Sequence, residues 1–208
     1  MTEITILTGT DGRPLAAKGQ RTRARLLEAA ERIFAELGYN EASIVKITEA
    51  AGVGQGTFYL YFSGKAEIFD ELVRDLNHRV RRAMTEGAEQ GGNRIESELL
   101  GFRAFFRFTA EHPALYRIIR QAEFASPETL QFHYDRIVEG YVGALGRAMD
   151  AGEVERRNPE VLAWALMGIG ELIGMRYILW AKRDDVSEHV LDEIERIITC
   201  LLEPREGA

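Results

Sequence analysis

Apolar residues recur every three or four positions along most of the chain, which is the spacing of amphipathic helices. The first such stretch ends at Gly38 and carries its apolar residues at Leu26, Leu27, Ala30, Ile33, Phe34 and Leu37. Ser43 is well placed to cap a second helix, which Gly52 would end in the left-handed conformation. A third, short helix runs up to Gly64. Because strand-like alternation of useful length is lacking, the pattern predicts an all-α protein.

Longer helical patterns follow these three and suggest how the chain is divided. They cover about residues 66–86, 94–111, 114–124, 127–151, 159–182 and 186–203. Residues 1–19 show no helical period and contain three glycines and a proline, so we expect a mobile N-terminal arm there. We therefore expect a three-helix domain at 20–66 and a larger helical domain at 67–208.

Four aromatic residues crowd the third predicted helix, in the run V-G-Q-G-T-F-Y-L-Y-F-S-G-K at 53–65. At about 100° per residue, Phe58 and Phe62 lie one turn apart on a single stripe, which we expect to face the core. Tyr59 and Tyr61 flank that stripe, so their rings can cover the core edge while their hydroxyl groups point outward. Two helices joined by a tight turn containing glycine, the second short and exposed, are typical of a helix-turn-helix.

Composition and charge narrow the class of protein. The chain has 208 residues, is 46% hydrophobic and carries a net charge of −7, yet the segment 13–65 has more Lys and Arg than Asp and Glu. A basic block on an acidic body is expected when one part meets phosphate. The single cysteine, Cys200, excludes an intramolecular disulfide and suits the cytoplasm. We expect no membrane-spanning helix, because no apolar run approaches the roughly 18 residues needed to cross a bilayer.

Three stretches, read together, resemble the TetR family of bacterial transcriptional repressors. They are T-R-A-R-L-L-E-A-A-E-R-I-F-A-E-L-G-Y, S-I-V-K-I-T-E-A-A-G-V and G-T-F-Y-L-Y-F-S-G-K, within residues 21–69. Thr48 and Gly64 depart from the residues that are usual in that family. The resemblance implies a homodimer that binds a roughly palindromic DNA operator and leaves it when a small effector binds, and we expect that effector to be largely apolar. A twofold dimer would present its recognition helices to half-sites about 34–36 Å apart.

The resemblance also implies which residues contact DNA. It implies phosphate contacts at Tyr59, Tyr61, Lys65 and Thr57, while Gln55 begins the recognition helix and can bond bidentately to adenine. Gly56 would let the backbone approach the groove. On the second helix, Lys46 and Val45 are candidate base contacts, and Ser43 is both a helix cap and a phosphate neighbour. Lys18, Arg21 and Arg23 could follow the DNA backbone or be solvated.

The larger domain is rich in aromatic residues, which could line an apolar chamber or form an ordinary core. The candidate ligand-binding residues are Phe102, Phe105, Phe106, Tyr116, Phe124, Tyr134, Tyr141, Trp164, Met167, Glu171 and Tyr177. Glycines inside the helix at 159–182 indicate close helix approach or ligand contact. By resemblance, the last two long helices would form the dimer interface, with candidates Gly168, Gly170, Gly174, Ile178, Ile194 and Ile198.

Enzymatic and metal chemistry find little support in the sequence. The four histidines are scattered and match no metal-ligand spacing, and no nucleophile or phosphate-loop motif is present. We therefore expect neither a cofactor nor a metal. Two alternatives to a DNA-binding regulator remain open, a helical carrier of small molecules or acyl chains and a helical enzyme.

Overall fold

The structure, a computed structural model, describes residues 7–183 and 185–204 and confirms the predicted all-α class. Its α-helices are α1 (Ala17–Glu41), α2 (Ile44–Ala51), α3 (Gln55–Phe58), α4 (Lys65–Ala88), α5 (Arg94–Glu111), α6 (Ala114–Ala125), α7 (Pro127–Asp150), α8 (Pro159–Gly174) and α9 (Glu188–Leu202). A π-helix, Met175–Trp180, continues α8. Within these residues the extended pairing is limited to one isolated bridge between Thr8 and Pro14.

Local sequence signals account for most of the helix ends. Ser43 accepts a hydrogen bond from the backbone N–H of Lys46 and caps α2, while Gly52 ends that helix with a left-handed φ of 64°. Gly38 has a φ of 80°, so the regular helix of α1 is broken there, as predicted. Asn93 and Asn158 cap α5 and α8 through their side-chain oxygens.

Two helix ends, the start of α1 and the end of α3, differ from the predictions. α1 begins at Ala17, inside the segment expected to be a mobile arm, and residues 1–6 of that segment lie outside the described residues. α3 ends at Phe58, and the chain then continues to Phe62 through turns closed by hydrogen bonds to the carbonyl of Phe58. The recognition element is therefore one helical turn followed by a non-helical extension.

Contacts group the described residues into two compact units. The first comprises the residues up to Asp75 together with Arg117–Leu130, and the second comprises Leu76–Tyr116 and the residues from Gln131 onward. In the first unit the largest fully buried side chains are Phe34, Phe58, Phe62, Phe69, Leu26, Ile47, Ile68, Leu72 and Ile118. Burying a side chain of this size contributes about 1.5–3 kcal/mol, so together these residues stabilise the packing of the helices in this unit.

The second unit has its own core, formed by α5, α7, α8 and α9. Its buried members include Phe102, Phe106, Leu145, Leu166, Ile178, Ile194 and Ile198.

Asn77 donates a hydrogen bond of 2.9 Å to the backbone carbonyl of His133 and lies 3.2 Å from its Nδ1. Burial favours the neutral imidazole and lowers the pKa of His133 to about 4.

The helix spanning Pro159–Trp180 corrects one expectation from the sequence. It has 22 residues, and an 18-residue window within it reaches a mean hydropathy of 1.4, so its length and composition would allow it to cross a membrane. A core helix of a soluble protein has the same composition, and 39% of this window is buried inside the protein. Its apolar character is explained in part by packing on Phe102 and Tyr116.

Candidate nucleic-acid interface

The turn between α2 and α3 is held by backbone geometry and by one arginine. Gly52 reverses the chain, and the N–H of Val53 donates to the carbonyl of Thr48 at 3.0 Å. The guanidinium of Arg25, on α1, donates to the carbonyl of Ala51 and so satisfies the C-terminal end of α2. The Thr48 hydroxyl is also satisfied, since it donates to the carbonyl of Val45 at 2.9 Å.

The aromatic residues of 53–65 divide into an inner and an outer set. Phe58 and Phe62 are fully buried with ring centroids 5.6 Å apart, as their shared stripe predicts. Tyr59 packs edge-on against Phe58 yet keeps 51% of its surface exposed. Tyr61 is half-buried. The two phenylalanines therefore anchor this segment, while about half of the surface of Tyr59 is exposed to solvent.

The other residues expected to meet DNA lie at the surface to different degrees. Val45, Lys46, Gln55 and Gly56 are exposed, whereas Ser43 and Thr57 are half-buried. A Cβ atom added to Gly56 would meet no atom within 4 Å, so the backbone there fronts open space. This open surface of α3 is accessible to a large partner.

Lys65 has a role that the sequence reasoning missed. Its ammonium group donates to the carbonyls of Tyr39 at 2.8 Å and Ala42 at 3.0 Å, and it lies 4.5 Å from the centre of the Tyr39 ring. These acceptors are the carbonyls that the end of α1 leaves unpaired. In this structure Lys65 therefore caps α1, and the geometry does not support its predicted role as a phosphate contact.

Two further basic residues of this region are held by protein groups. The guanidinium of Arg23, 11% exposed, pairs with Glu71 at 2.7 Å and lies 5.0 Å from the centre of the Phe62 ring. Lys46 donates to the carbonyl of Glu41 at 2.9 Å while staying exposed. Arg23 is thus structural, whereas Lys46 remains accessible.

Residues 7–15 pack against the segment that follows α3. The Thr10 hydroxyl donates to the carbonyl of Tyr59 at 2.9 Å, and the Thr10 amide donates to the carbonyl of Leu60 at 3.1 Å. The segment folds back on itself, since the amide of Leu15 donates to the carbonyl of Leu7 at 2.8 Å. A Cβ atom at Gly9 would approach the Leu60 oxygen to 3.0 Å, so the two backbone segments are closely packed there. The N-terminal segment therefore fixes the backbone of Tyr59.

The candidate ligand-binding residues of the second unit do not form one chamber. Phe102, Phe106 and Tyr116 are buried, and Phe105, Tyr141, Met167 and Tyr177 are partly buried against the same core. Tyr134 packs on Trp164 with ring centroids 5.9 Å apart and donates to both carboxylate oxygens of Glu171 at 3.0 Å. Phe124 belongs to the first unit and is 87% exposed, so it lines no chamber.

The dimer candidates need a correction, because five of the six face their own core. A Cβ atom at Gly170 would lie 3.0 Å from Phe102, and one at Gly174 would lie 2.1 Å from the Tyr116 hydroxyl. Ile178, Ile194 and Ile198 are at most 3% exposed within a single chain. These five residues are packed inside the chain and present little surface on which a partner subunit could dock.

An apolar stripe lies on another face of α8. Val161, Trp164 and Leu172 are 66%, 44% and 62% exposed, and Gly168 between them would meet no atom with an added Cβ. The spacing of these four residues, three and four positions, places them on one side of the helix. Ile197 on α9 and Trp180 are also exposed. Of the predicted dimer residues, Gly168 alone belongs to this stripe.

A compact head with a short exposed helix, followed by an all-helical body, defines a helix-turn-helix protein. Residues 26–72 match the family model described as bacterial regulatory proteins, tetR family. The chain is 36% identical over 126 residues to the HTH-type transcriptional regulator YdgC of Bacillus subtilis, covering 58% of this chain and 63% of that protein. It is 28% identical over 136 residues to the fatty acid metabolism regulator protein of Bacillus subtilis, covering 63% and 70%.

A solved structure agrees in fold. The transcriptional regulator FadR from Bacillus subtilis, in complex with stearoyl-CoA, superposes with a TM-score of 0.74 at 19% identity, covering 84% of this chain and 96% of that one. Residues 26–72 thus match the TetR family of bacterial transcriptional regulators, and the relatives found along the chain are regulators of that kind. The match to YdgC spans a little under two thirds of that relative's length.

Proposed function

We propose that the chain is a homodimeric, ligand-responsive regulator that binds double-stranded DNA and represses transcription from a roughly palindromic operator. The observation that carries this proposal is that some side chains of residues 53–65 are buried in the core while others are exposed to solvent. Phe58 and Phe62 anchor the segment in the core, while Gln55, Gly56 and Tyr59 face solvent beside the turn. Regulators of the matched family bind DNA operators and are bacterial proteins, so we infer a cytoplasmic location.

The DNA contact is tested by removing one hydroxyl group. Tyr59→Phe keeps the ring against Phe58 but loses the phosphate bond, so we expect all DNA sequences to be bound more weakly, by about 1 kcal/mol. Fluorescence anisotropy with labelled duplexes measures the change. Tyr177→Phe, in the second unit, is the matched control. Equal affinities of Tyr59→Phe and the unaltered protein would remove Tyr59 from the interface.

The dimer in this proposal uses the apolar stripe of α8. Exposed large apolar residues in a row are typical of interfaces, and a twofold axis would bring two such stripes together. Leu172→Glu would bury a charge at that seam, so we expect it to dissociate the dimer in light scattering at micromolar concentration. Phe124→Glu, at another exposed apolar residue, should leave the dimer intact. A monomeric unaltered protein would refute the dimer.

Release from DNA follows from the thermodynamic linkage between effector binding and DNA binding. An effector that binds the DNA-free state more tightly than the DNA-bound state shifts the population off the operator by its differential affinity. The relative named for fatty acid metabolism, and the fold relative solved with stearoyl-CoA, favour an effector with a hydrocarbon chain. Native mass spectrometry of the purified protein tests this, because a retained ligand without a hydrocarbon chain would contradict it.

A further inference from the structure

Three basic residues lie on one side of α1. Lys18, Arg21 and Arg25 follow one another at intervals of three and four residues, which places them on a single face of the helix. The guanidinium of Arg25 donates to the carbonyl of Ala51, and a Cβ added to Gly52 would lie 3.2 Å from it. This face of α1 is therefore turned toward the turn between α2 and α3.

The start of α1 approaches the segment that follows α3. A Cβ added to Gly19 would lie 3.6 Å from the hydroxyl oxygen of Tyr61. Just before the helix, the Thr10 hydroxyl donates to the carbonyl of Tyr59 at 2.9 Å. Residues 18–25 of α1 therefore run alongside α3, from the segment after it to the turn before it.

Lys18 and Arg21 are the members of this face whose charges are unused. Both are exposed, and neither forms an ion pair with any residue that the structure describes. Arg25, in contrast, bonds to the end of α2, and the neighbouring Arg23 pairs with Glu71. Two like charges about one turn apart on a helix repel each other, so Lys18 and Arg21 do not stabilise α1.

Acidic side chains nearby do not neutralise this pair. The segment 13–25 contains five Lys or Arg residues and no Asp or Glu. The carboxylate of Asp11 is paired with Arg13 at 3.6 Å. Glu28 lies on the same face of α1, but it is seven residues beyond Arg21, roughly 10 Å along the helix axis. An excess of positive charge therefore remains at the surface beside α3.

The backbone of a nucleic-acid duplex is the partner that suits this surface. Gln55 and Tyr59 are exposed in and just after α3, and Lys18 and Arg21 extend that surface along α1. Ammonium and guanidinium groups bind phosphate oxygens through charge-assisted hydrogen bonds. A DNA duplex carries one negative charge per roughly 1.7 Å of its axis, so it presents several phosphates to a surface of this length.

We propose that Lys18 and Arg21 bind the phosphate backbone of double-stranded DNA beside the groove that α3 enters. Phosphate contacts carry no sequence information, so these two residues raise the affinity for every duplex without changing the preferred site. The inference rests on the proposed function, because it extends the same DNA interface to α1.

Fluorescence anisotropy with a labelled duplex, over a range of salt concentrations, tests the two contacts. Lys18→Gln and Arg21→Gln should each lower the slope of the logarithm of the association constant against the logarithm of the salt concentration by about 0.9. The advantage of the unaltered protein over either variant should therefore shrink roughly 3.5-fold when the salt concentration is raised fourfold. Unchanged salt slopes in both variants would overturn the proposal.

Two controls show whether the effect belongs to this surface. Arg82→Gln removes the same charge from the second unit, where Arg82 is 71% exposed and pairs with Glu86, and it should leave the salt slope unchanged. The midpoint of urea denaturation should not fall in Lys18→Gln or Arg21→Gln, since neither side chain is paired within the described residues. A lowered midpoint would assign the two residues to the fold and contradict the proposal.

Ethylation of single phosphates distinguishes direct contact from general attraction. On the preferred duplex, ethylation of a contacted phosphate weakens binding of the unaltered protein. Lys18→Gln and Arg21→Gln should each become insensitive to ethylation at a phosphate where the unaltered protein is sensitive, and Tyr59→Phe should lose sensitivity at a different phosphate. Identical interference patterns for the unaltered protein and both variants of α1 would show that these residues touch no phosphate.

The failure of this inference is distinguishable from the failure of the proposed function. Sequence-selective binding with the same affinity in both variants would leave the regulator in place and make the inference wrong. If the variants bind all duplexes more weakly while the unaltered protein selects no sequence, the contacts of α1 are upheld and binding to an operator is wrong. Absence of binding to any duplex at low salt would overturn both.

Discussion

Replacing Lys65 by methionine distinguishes the two roles that the sequence and the structure assign to this residue. Methionine keeps an unbranched side chain of similar length and loses only the ammonium group. In the structure that group donates to the carbonyls of Tyr39 at 2.8 Å and Ala42 at 3.0 Å and lies 4.5 Å from the Tyr39 ring. The change would leave the end of α1 without these partners.

The expected loss in free energy of unfolding follows from those contacts. A hydrogen bond to a charged group contributes about 1.5–3 kcal/mol when buried, and a cation–π contact about 0.5–1 kcal/mol at an exposed site. Because Lys65 is half-buried and the freed carbonyls can reach water, we expect the free energy of unfolding of the first unit to fall by about 2 kcal/mol. Such a loss corresponds to roughly a thirtyfold change in the folding equilibrium.

Urea denaturation, together with amide hydrogen exchange of α1 and α2, measures this loss in the unit where it occurs. Lys46→Met is the matched control, since Lys46 is exposed and makes one contact of 2.9 Å with the carbonyl of Glu41. We expect it to change stability by less than about 0.5 kcal/mol. An unchanged stability of Lys65→Met, with a salt dependence of DNA binding lowered by about one unit, would refute the capping role and restore the phosphate contact.

Three further predictions concern other parts of the chain. Gln55→Ala should relax the preference at one base pair by about 1–3 kcal/mol without weakening nonspecific binding, and an unchanged preferred sequence in a binding-site selection would exclude Gln55 as a base reader. Thr10→Val should weaken DNA binding several-fold while Thr10→Ser retains it, because the hydroxyl holds the Tyr59 carbonyl; equal anisotropy curves would argue against this positioning role. The low pKa of His133 means that the unfolded state binds more protons between about pH 6.5 and 4, so the free energy of unfolding should fall as the pH is lowered through this range, by up to about 1.4 kcal/mol per unit. His133→Gln should lose that part of the slope, and an identical slope would contradict the assignment.

The helices could be predicted from the sequence because their ends are marked by local chemistry. Ser43 and Gly52 bound α2, and Gly38 breaks α1, each through its own backbone or side-chain preference. The early start of α1 at Ala17 was missed, because A-A-K-G has no apolar period and a glycine that suggests a turn. The short extent of α3 was missed as well, since a run of turns carries the same apolar spacing as a helix.

The candidate interface was only partly predictable. The split between Phe58 and Tyr59 follows from helical spacing alone. The contacts of Lys65 with Tyr39 and of Thr10 with Tyr59 join residues 26 and 49 positions apart, and no local pattern reveals such pairs. A motif match identifies a residue type at a position, but it does not say which acceptors the fold brings within reach.

Which face of α8 could form a dimer interface was likewise not predictable from the sequence. Glycines at 168, 170 and 174 have similar sequence contexts, yet Gly170 and Gly174 pack against Phe102 and Tyr116 while Gly168 is open. Successive helical positions differ in direction by about 100°, so the side that faces the core depends on how neighbouring helices pack.

Sequence-selective DNA binding by the protein is the central claim, and one measurement tests it directly. Double-stranded oligonucleotides with a random core are selected for binding, and anisotropy is then measured on the enriched sequence and on a scrambled duplex over a range of salt concentrations. The account predicts an enriched, roughly palindromic site bound at least a thousandfold more tightly than the scrambled duplex, with affinity falling as salt rises. Equal affinity for both duplexes, or no binding at low salt, would contradict it.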